Sequence, residues 1–334
     1  MSRIRVGVIG ASGYTGLELI KIVLNHPHFE LSYLATSSGG TTLDKLHQSL
    51  LGICDMDVQK ADANLCAKSC ELVFLALPHK TAMELVSPLI SLGVSVVDLS
   101  ADYRLPQDIY EKFYTSHSDL ANLSHAVYGL PELYRDEIKE AKLVANPGCF
   151  PTSAILALLP FLKYITKGSS IVIDAKTGVS GAGKKLSDNT HFVNIHENLF
   201  AYNPLGHRHA PEIANKLDIE LGRINFVPHL VPVTRGMISS IYIELDDRID
   251  ANRVLEEYYG GEEFVRVVDR CVDMKSVAGT NFCDIYAKSN ANRLYISSAI
   301  DNLMRGASSQ AVVNANIMMG LDESSGIPKI AYVP

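Results

Sequence analysis

A glycine-punctuated heptapeptide, Gly10-Ala11-Ser12-Gly13-Tyr14-Thr15-Gly16, follows the β-forming run Ile4-Arg5-Val6-Gly7-Val8-Ile9 and leads straight into a helical pattern. No other stretch restricts the fold as strongly. Strand, tight glycine turn and helix in that order open a βαβ unit of a parallel sheet. The glycines allow the turn and let backbone N–H groups at the helix N-terminus approach a pyrophosphate. The spacing is GxxGxxG where GxGxxG is commoner, so position carries the argument more than the glycine count. Leu17, Ile20, Ile22, Val23 and Leu24 give the helix over 14–25 its apolar face. Gly10, Ser12, Gly13, Tyr14, Thr15 and Gly16 are therefore candidate dinucleotide contacts.

The alternation continues. β-rich runs at 31–36, 72–77, 94–98 and 142–145 alternate with helical patterns, the signature of a parallel sheet with crossover helices. Beyond residue 170 the texture changes, with long β-rich segments at 170–175, 224–233, 237–246 and 293–300. Ile238-Ser239-Ser240-Ile241-Tyr242-Ile243-Glu244-Leu245 suits a strand packed on one face of an antiparallel sheet. Ala307 to Met319 reads as a last amphipathic helix. The expected fold class is α/β: an N-terminal Rossmann-like parallel sheet, then an α+β domain with a mixed or antiparallel sheet. The change of domain falls close to Cys149.

Composition removes several function classes. A chain of 334 residues is long enough for two cores, and its net charge of −7 argues against nucleic acid or an anionic membrane as partner. No apolar run approaches the roughly 18 residues of a spanning helix. The chain enters its first strand at once, without a signal-peptide pattern, so a cytoplasmic location is expected. The six cysteines, at 54, 66, 70, 149, 271 and 283, form no CxxC pair and no zinc spacing. No metal is expected, and reduced thiols fit a cytoplasmic chain.

One of those cysteines has the surroundings of a nucleophile. Cys149 lies in Asn146-Pro147-Gly148-Cys149-Phe150-Pro151-Thr152, between the short strand Lys142-Leu143-Val144-Ala145 and the helical run Ser153 to Leu159. Pro147 and Gly148 break the chain there, placing the thiol at a helix N-terminus. N–H groups and the macrodipole favour an anion at that point, and the thiolate is the attacking species. A small buried apolar residue is the competing reading for any lone cysteine; the dinucleotide site upstream tips the balance.

Other motifs supply partners. The second strand ends Leu34-Ala35-Thr36-Ser37-Ser38-Gly39-Gly40, with no acid where an NAD site holds the ribose 2′-hydroxyl. A 2′-phosphate is tolerated there, and Ser37 and Ser38 can bond to it, which favours NADP(H). Pro78, in Leu77-Pro78-His79-Lys80, follows another strand and is placed against the cofactor. Arg104, in Asp98-Leu99-Ser100-Ala101-Asp102-Tyr103-Arg104, brings a bidentate fork for a phosphate or carboxylate, with an ion pair to Asp102 as the alternative. A second glycine loop, Thr177-Gly178-Val179-Ser180-Gly181-Ala182-Gly183-Lys184-Lys185, allows close backbone approach to a nicotinamide or a substrate phosphate, with Gly178, Ser180 and Gly181 as candidate cofactor contacts. His207-Arg208-His209-Ala210-Pro211-Glu212 places two histidines around an arginine, ahead of a helix that Pro211 is suited to begin. A histidine is the natural proton carrier beside a thiol. Which of His207 and His209 serves is left open by the sequence.

Five motifs in order, Gly10 to Gly16, Ser100-Ala101-Asp102-Tyr103-Arg104, Tyr128-Gly129-Leu130-Pro131-Glu132, Asn146-Pro147-Gly148-Cys149 and His207-Arg208-His209, resemble the N-acetyl-γ-glutamyl-phosphate reductase family, relatives of aspartate-semialdehyde dehydrogenase. The resemblance implies an NADP-binding Rossmann domain over 1–148, completed by a returning C-terminal segment over 306–334, and a catalytic and dimerisation domain over 149–305. It implies an oxidoreductase of arginine biosynthesis that reduces N-acetyl-L-glutamyl 5-phosphate to the 5-semialdehyde through a thioester intermediate on Cys149, with His209 or His207 as acid/base. Arg104, Asn146, Arg208 and Lys184 would hold the substrate and Asn314 the cofactor. A homodimer or homotetramer is implied, with a small-molecule acyl phosphate as the other partner. Arg305, Ser309 and Val313 stand where Lys, Gly and Gln are usual in that family. Two alternatives remain: the same chemistry on aminoadipyl phosphate of lysine biosynthesis, and a cofactor-free thiol acyltransferase.

Overall fold

The structure, a computed structural model, describes residues 3–333. Two compact units result, Met1–Pro147 with Ala307–Pro328, and Gly148–Gly306 with Lys329–Pro334.

In the first unit the runs of β-formers become β1 (Ile4–Ile9), β2 (Phe29–Thr36), β3 (Thr41–Thr42), β4 (Asp57–Lys60), β5 (Leu72–Leu75), β6 (Ser95–Asp98), β7 (Val127–Tyr128) and β8 (Leu143–Ala145). They lie in the order β3-β4-β2-β1-β5-β6-β8-β7. Neighbours run parallel except β3 and β4. Leu72–Leu75 and Ser95–Asp98 are buried throughout, as strands covered on both faces must be. Strand order reverses beside β1, which pairs with β2 on one side and β5 on the other. Ligands of open α/β sheets bind at such a switch point, and the Gly10–Gly16 turn leaves β1 there.

The final helix, Ser308–Met318, packs in this unit on the helix Tyr14–Asn25, the helix Pro131–Glu140 and β6. Its sequence suggests an amphipathic element, yet it is buried from Ser308 through Ile317. Amide side chains on its polar positions make this possible. Asn316 Nδ2 donates to the carbonyls of Glu323 and Ser325, and Gln310 Nε2 to that of Gly129.

The second unit carries β9 (Ile171–Gly178), β10 (Phe200–Ala201), β11 (Ile224–Val231), β12 (Met237–Glu244), β13 (Val265–Val267), β14 (Cys283–Asn290) and β15 (Arg293–Ile300). Their order is β10-β11-β9-β12-β15-β14-β13. The sheet is mixed: β9 with β11 and β13 with β14 are parallel, the other pairs antiparallel. Helices Cys149–Leu158, His209–Lys216 and Ala251–Tyr259 cover one face.

The C-terminal segment expected over 306–334 is shared between the units, Ala307–Pro328 in the first and residues 329–333 in the second. Lys329 Nζ pairs with Glu263 at 2.6 Å, and the Tyr332 ring occupies the space beside Gly279 that a Cβ would fill.

Candidate active site

In the first unit the glycine turn is built for close backbone approach. Gly10 has φ +98°, and a Cβ on it would sit 2.2 Å from the Ala76 carbonyl oxygen. A Cβ on Gly16 would lie 2.3 Å from the Gly10 oxygen. Gly13 is the N-cap of the following helix and brings no side chain to its first N–H groups. Tyr14 and Thr15 begin that helix, and Ser308 Oγ donates to the Thr15 carbonyl from the final helix. Ser37 and Ser38 are exposed just past the end of β2, with no acid in that turn. These residues fit a dinucleotide: an open helix N-terminus for the pyrophosphate and hydroxyls for a 2′-phosphate. Pro78 is exposed, while His79 Nδ1 accepts the N–H of Ala101.

Asn146, Arg104 and Asn314 are brought together in this unit and are buried. Arg104 donates from Nε to the Asn146 carbonyl at 2.7 Å and from Nη2 to that of Leu99 at 2.8 Å. Asn314 Nδ2 donates to Asn146 Oδ1 and to the Gly129 carbonyl. Asn146 in turn donates from its backbone N–H to Asp98 O and from Nδ2 to Ala307 O. Every polar group of Asn146 is thus held, three residues before Cys149 along the chain. Asp98, fully buried beside Ser100, has its carboxyl pushed up to about 7 by desolvation.

In the second unit Cys149 is the first residue of the helix Cys149–Leu158, with Gly148 as N-cap. The backbone passes close behind it at Gly306, where a Cβ would meet Cys149 Cβ at 2.6 Å. The His209–Lys216 helix begins two residues earlier than Pro211 suggests, so His209 is its first residue. Proline is tolerated within a first turn, where its missing N–H has no partner to lose. Glu212, fully buried on that helix, accepts the Gly148 N–H at 3.0 Å and so ties the two helix N-termini. Phe150, next to the thiol, meets both imidazoles edge-on, with centroids at 5.7 Å from His207 and 5.8 Å from His209.

The two histidines are not equivalent. His207 is enclosed by Phe150, Tyr202, Phe226 and His209. Burial in that nest, helped by Arg208, pushes its pKa down to about 4. His207 Nδ1 accepts the backbone N–H of His209, which puts the ring proton of the neutral imidazole on Nε2. Tyr202 also belongs here: burial, and after it the charge of Cys149, push its phenol upward. Arg208 and Lys184 are exposed. Gly178, Ser180 and Gly181 leave β9 in this unit, and Ser180 Oγ accepts from Asn302 Nδ2.

Sequence reasoning missed Glu212, Tyr202 and Gly306. Glu212 stands inside the quoted histidine motif, and a carboxylate so near two histidines was its signal. Tyr202 and Gly306 had none beyond proximity to named motifs. Among the described residues no group of three His, Cys, Asp or Glu side chains is placed to hold a metal ion, and no helix is long and apolar enough to cross a membrane.

The semialdehyde dehydrogenase NAD-binding domain matches residues 5–141, and the semialdehyde dehydrogenase dimerisation domain matches residues 149–302. The chain belongs to the semialdehyde dehydrogenase family. Within the family it is 67% identical over 334 residues to N-acetyl-gamma-glutamyl-phosphate reductase of Sulfurimonas denitrificans, spanning the whole of both chains. The protein of that name from Methanocaldococcus jannaschii is 43% identical over 347 residues, covering 98% of this chain and 99% of the relative. Aspartate semialdehyde dehydrogenase II of Vibrio cholerae shares the fold at TM-score 0.73 and 16% identity, covering 96% of this chain and 99% of that one.

Proposed function

We propose that the chain is an NADPH-dependent N-acetyl-γ-glutamyl-phosphate reductase of arginine biosynthesis, with Cys149 as nucleophile. The observation that carries this is full-length identity of 67% to a protein of that name, together with a thiol at a helix N-terminus whose neighbour Phe150 packs against two imidazoles.

The Cys149 sulfur attacks the acyl carbon of N-acetyl-L-glutamyl 5-phosphate, the C–O bond to phosphate breaks, and phosphate leaves with its electron pair. The product is a thioester on Cys149, a better hydride acceptor than a carboxylate. NADPH, when bound, supplies the hydride. A histidine takes the Cys149 thiol proton as the sulfur attacks; the imidazolium so formed gives it to the oxyanion left by hydride transfer and recovers it as the C–S bond breaks and the semialdehyde departs. His209 suits this proton transfer, because His207, held near pKa 4, is a poor proton carrier at neutral pH. His207 instead orients the His209 backbone. Exposed Arg208 and Lys184 supply positive charge for the phosphate or carboxylate.

Two copies associate through the sheet face opposite the helices. Val172 and Tyr242 project there, 37% and 49% exposed, with Tyr242 against Tyr295 at 5.4 Å. The name of the matched dimerisation domain supports this reading. A cytoplasmic setting is supported by six cysteines, none in a disulfide.

The test is the reverse reaction: phosphate-dependent reduction of NADP+ by N-acetylglutamate semialdehyde, with NAD+ and the aminoadipate semialdehyde analogue as controls. Turnover that needs phosphate and prefers NADP+ and the acetylglutamyl compound supports the reading. No phosphate-dependent turnover, or preference for the aminoadipyl compound, overturns it.

A further inference from the structure

The helix that carries Cys149 has no face turned to water beyond the cysteine itself. Every residue from Phe150 to Leu158 is buried. Rotation of an amphipathic helix is set by which stripe meets water, and that constraint is missing here. Apolar burial alone leaves a helix free to turn or slide among near-equivalent packings, whereas a satisfied buried polar network selects one.

Such a network exists one turn below the thiol. Ser153 lies four residues after Cys149, on the same side of the helix. Opposite it, Ser239 of β12 and Ser298 of β15 are directly paired across the two strands. All three serines are fully buried. Ser153 Oγ donates to Ser239 Oγ at 2.9 Å and shares a hydrogen bond with Ser298 Oγ. Ser298 Oγ also donates to the Ser153 carbonyl at 2.9 Å. The side chain and the backbone of one helical residue are thereby bound to two adjacent strands, which fixes both rotation and axial position. Farther along, the Tyr259 hydroxyl donates to the Leu156 carbonyl at 2.6 Å.

We infer that Ser153, Ser239 and Ser298 are positioning residues for the nucleophile: they set the orientation of the Cys149 helix and so the presentation of the sulfur. The inference rests on Cys149 being the nucleophile.

The experiment replaces all three, S153A/S239A/S298A. Removing every partner together leaves no buried hydroxyl unsatisfied, so the variant should keep close to wild-type thermal stability. Two rates are read at a temperature where both proteins are folded: alkylation of Cys149 by iodoacetamide, located by peptide mass spectrometry, and kcat for the phosphate-dependent reaction. Both should fall about tenfold or more in the variant, as expected for a reacting group misplaced by a fraction of an ångström. NADPH affinity, read by fluorescence titration, should not change. Wild-type rates in the folded triple variant would overturn the inference. If that variant is not recovered folded, Ser298→Ala alone, which leaves the Ser153–Ser239 bond, is judged by the same criteria. A sluggish Cys149 in the wild-type protein would instead count against the nucleophile itself.

Discussion

Gly306→Ala gives the sharpest test of how the thiol site is packed. The added methyl would lie 2.6 Å from Cys149 Cβ, 2.6 Å from the Asn302 carbonyl oxygen and 2.9 Å from Asn302 Cα. Comfortable carbon contacts are ~3.5–4.0 Å, so the overlap is about 1 Å on two sides at once. None of these atoms is the end of a flexible side chain, so backbone or the base of Cys149 has to move. Overpacking of that kind destabilises by about 1–3 kcal/mol, and two-sided contact with backbone places this case near ~3. For a unit of this size that corresponds to a fall in Tm of about 6–12 °C. The displaced thiol should lose reactivity as well, since a misplacement of ~1 Å can slow a reaction about 100-fold. Calorimetry and iodoacetamide kinetics measure the two effects. Gly261→Ala is the control, because a Cβ there meets nothing within 4 Å. A Gly306→Ala protein with unchanged Tm and unchanged thiol reactivity would refute the packing described here.

Three further outcomes are expected. His207 has its folded pKa lowered from 6.5 to about 4, so folding favours the neutral ring; the associated stability is complete above pH 6.5 and is lost as pH falls towards 4. Urea midpoints compared at pH 7.5 and pH 4.5 should fall less for His207→Gln than for the parent, by up to ~3 kcal/mol, and equal pH dependence would contradict this. Asp98 has the opposite sign: its carboxyl is raised from 3.8 to about 7, so a destabilising contribution grows as pH rises through that interval. Asp98→Asn should gain stability relative to the parent between pH 4 and pH 7.5, on the order of 3–4 kcal/mol by denaturant titration, whereas a constant difference would be inconsistent with the raised pKa. Tyr242→Glu places a charge on the exposed sheet face and should shift sedimentation towards the monomer; an unchanged mass would place the interface elsewhere.

The parallel sheet was legible because its central strands are covered on both faces, and runs such as Leu72–Leu75 therefore show no polar interruptions. The glycine turn was legible for a related reason, since Gly10 and Gly16 leave no room for any other residue. β14 was not anticipated: Asp284, Lys288 and Asn290 dilute its apolar signal, and its place in the sheet comes from pairing with β15. The final helix defied its pattern because Asn314 and Asn316 look solvent-facing until their carbonyl partners are seen. At the site, residue types pointed to a chemistry but did not show the surroundings that distinguish one candidate side chain from another. The bond that Arg104 makes to the Asn146 carbonyl joins segments 42 residues apart in the chain. The contrast between His207 and His209 likewise depends on an aromatic nest gathered from Phe150, Tyr202 and Phe226.

Acyl transfer to Cys149 is most directly tested by trapping. Protein mixed with N-acetyl-L-glutamyl 5-phosphate without NADPH, quenched in acid and digested, should show the N-acetylglutamyl mass on the peptide containing Cys149. Addition of NADPH before the quench should remove it. An adduct on another side chain, or none while phosphate is still released and semialdehyde still formed, would contradict the mechanism.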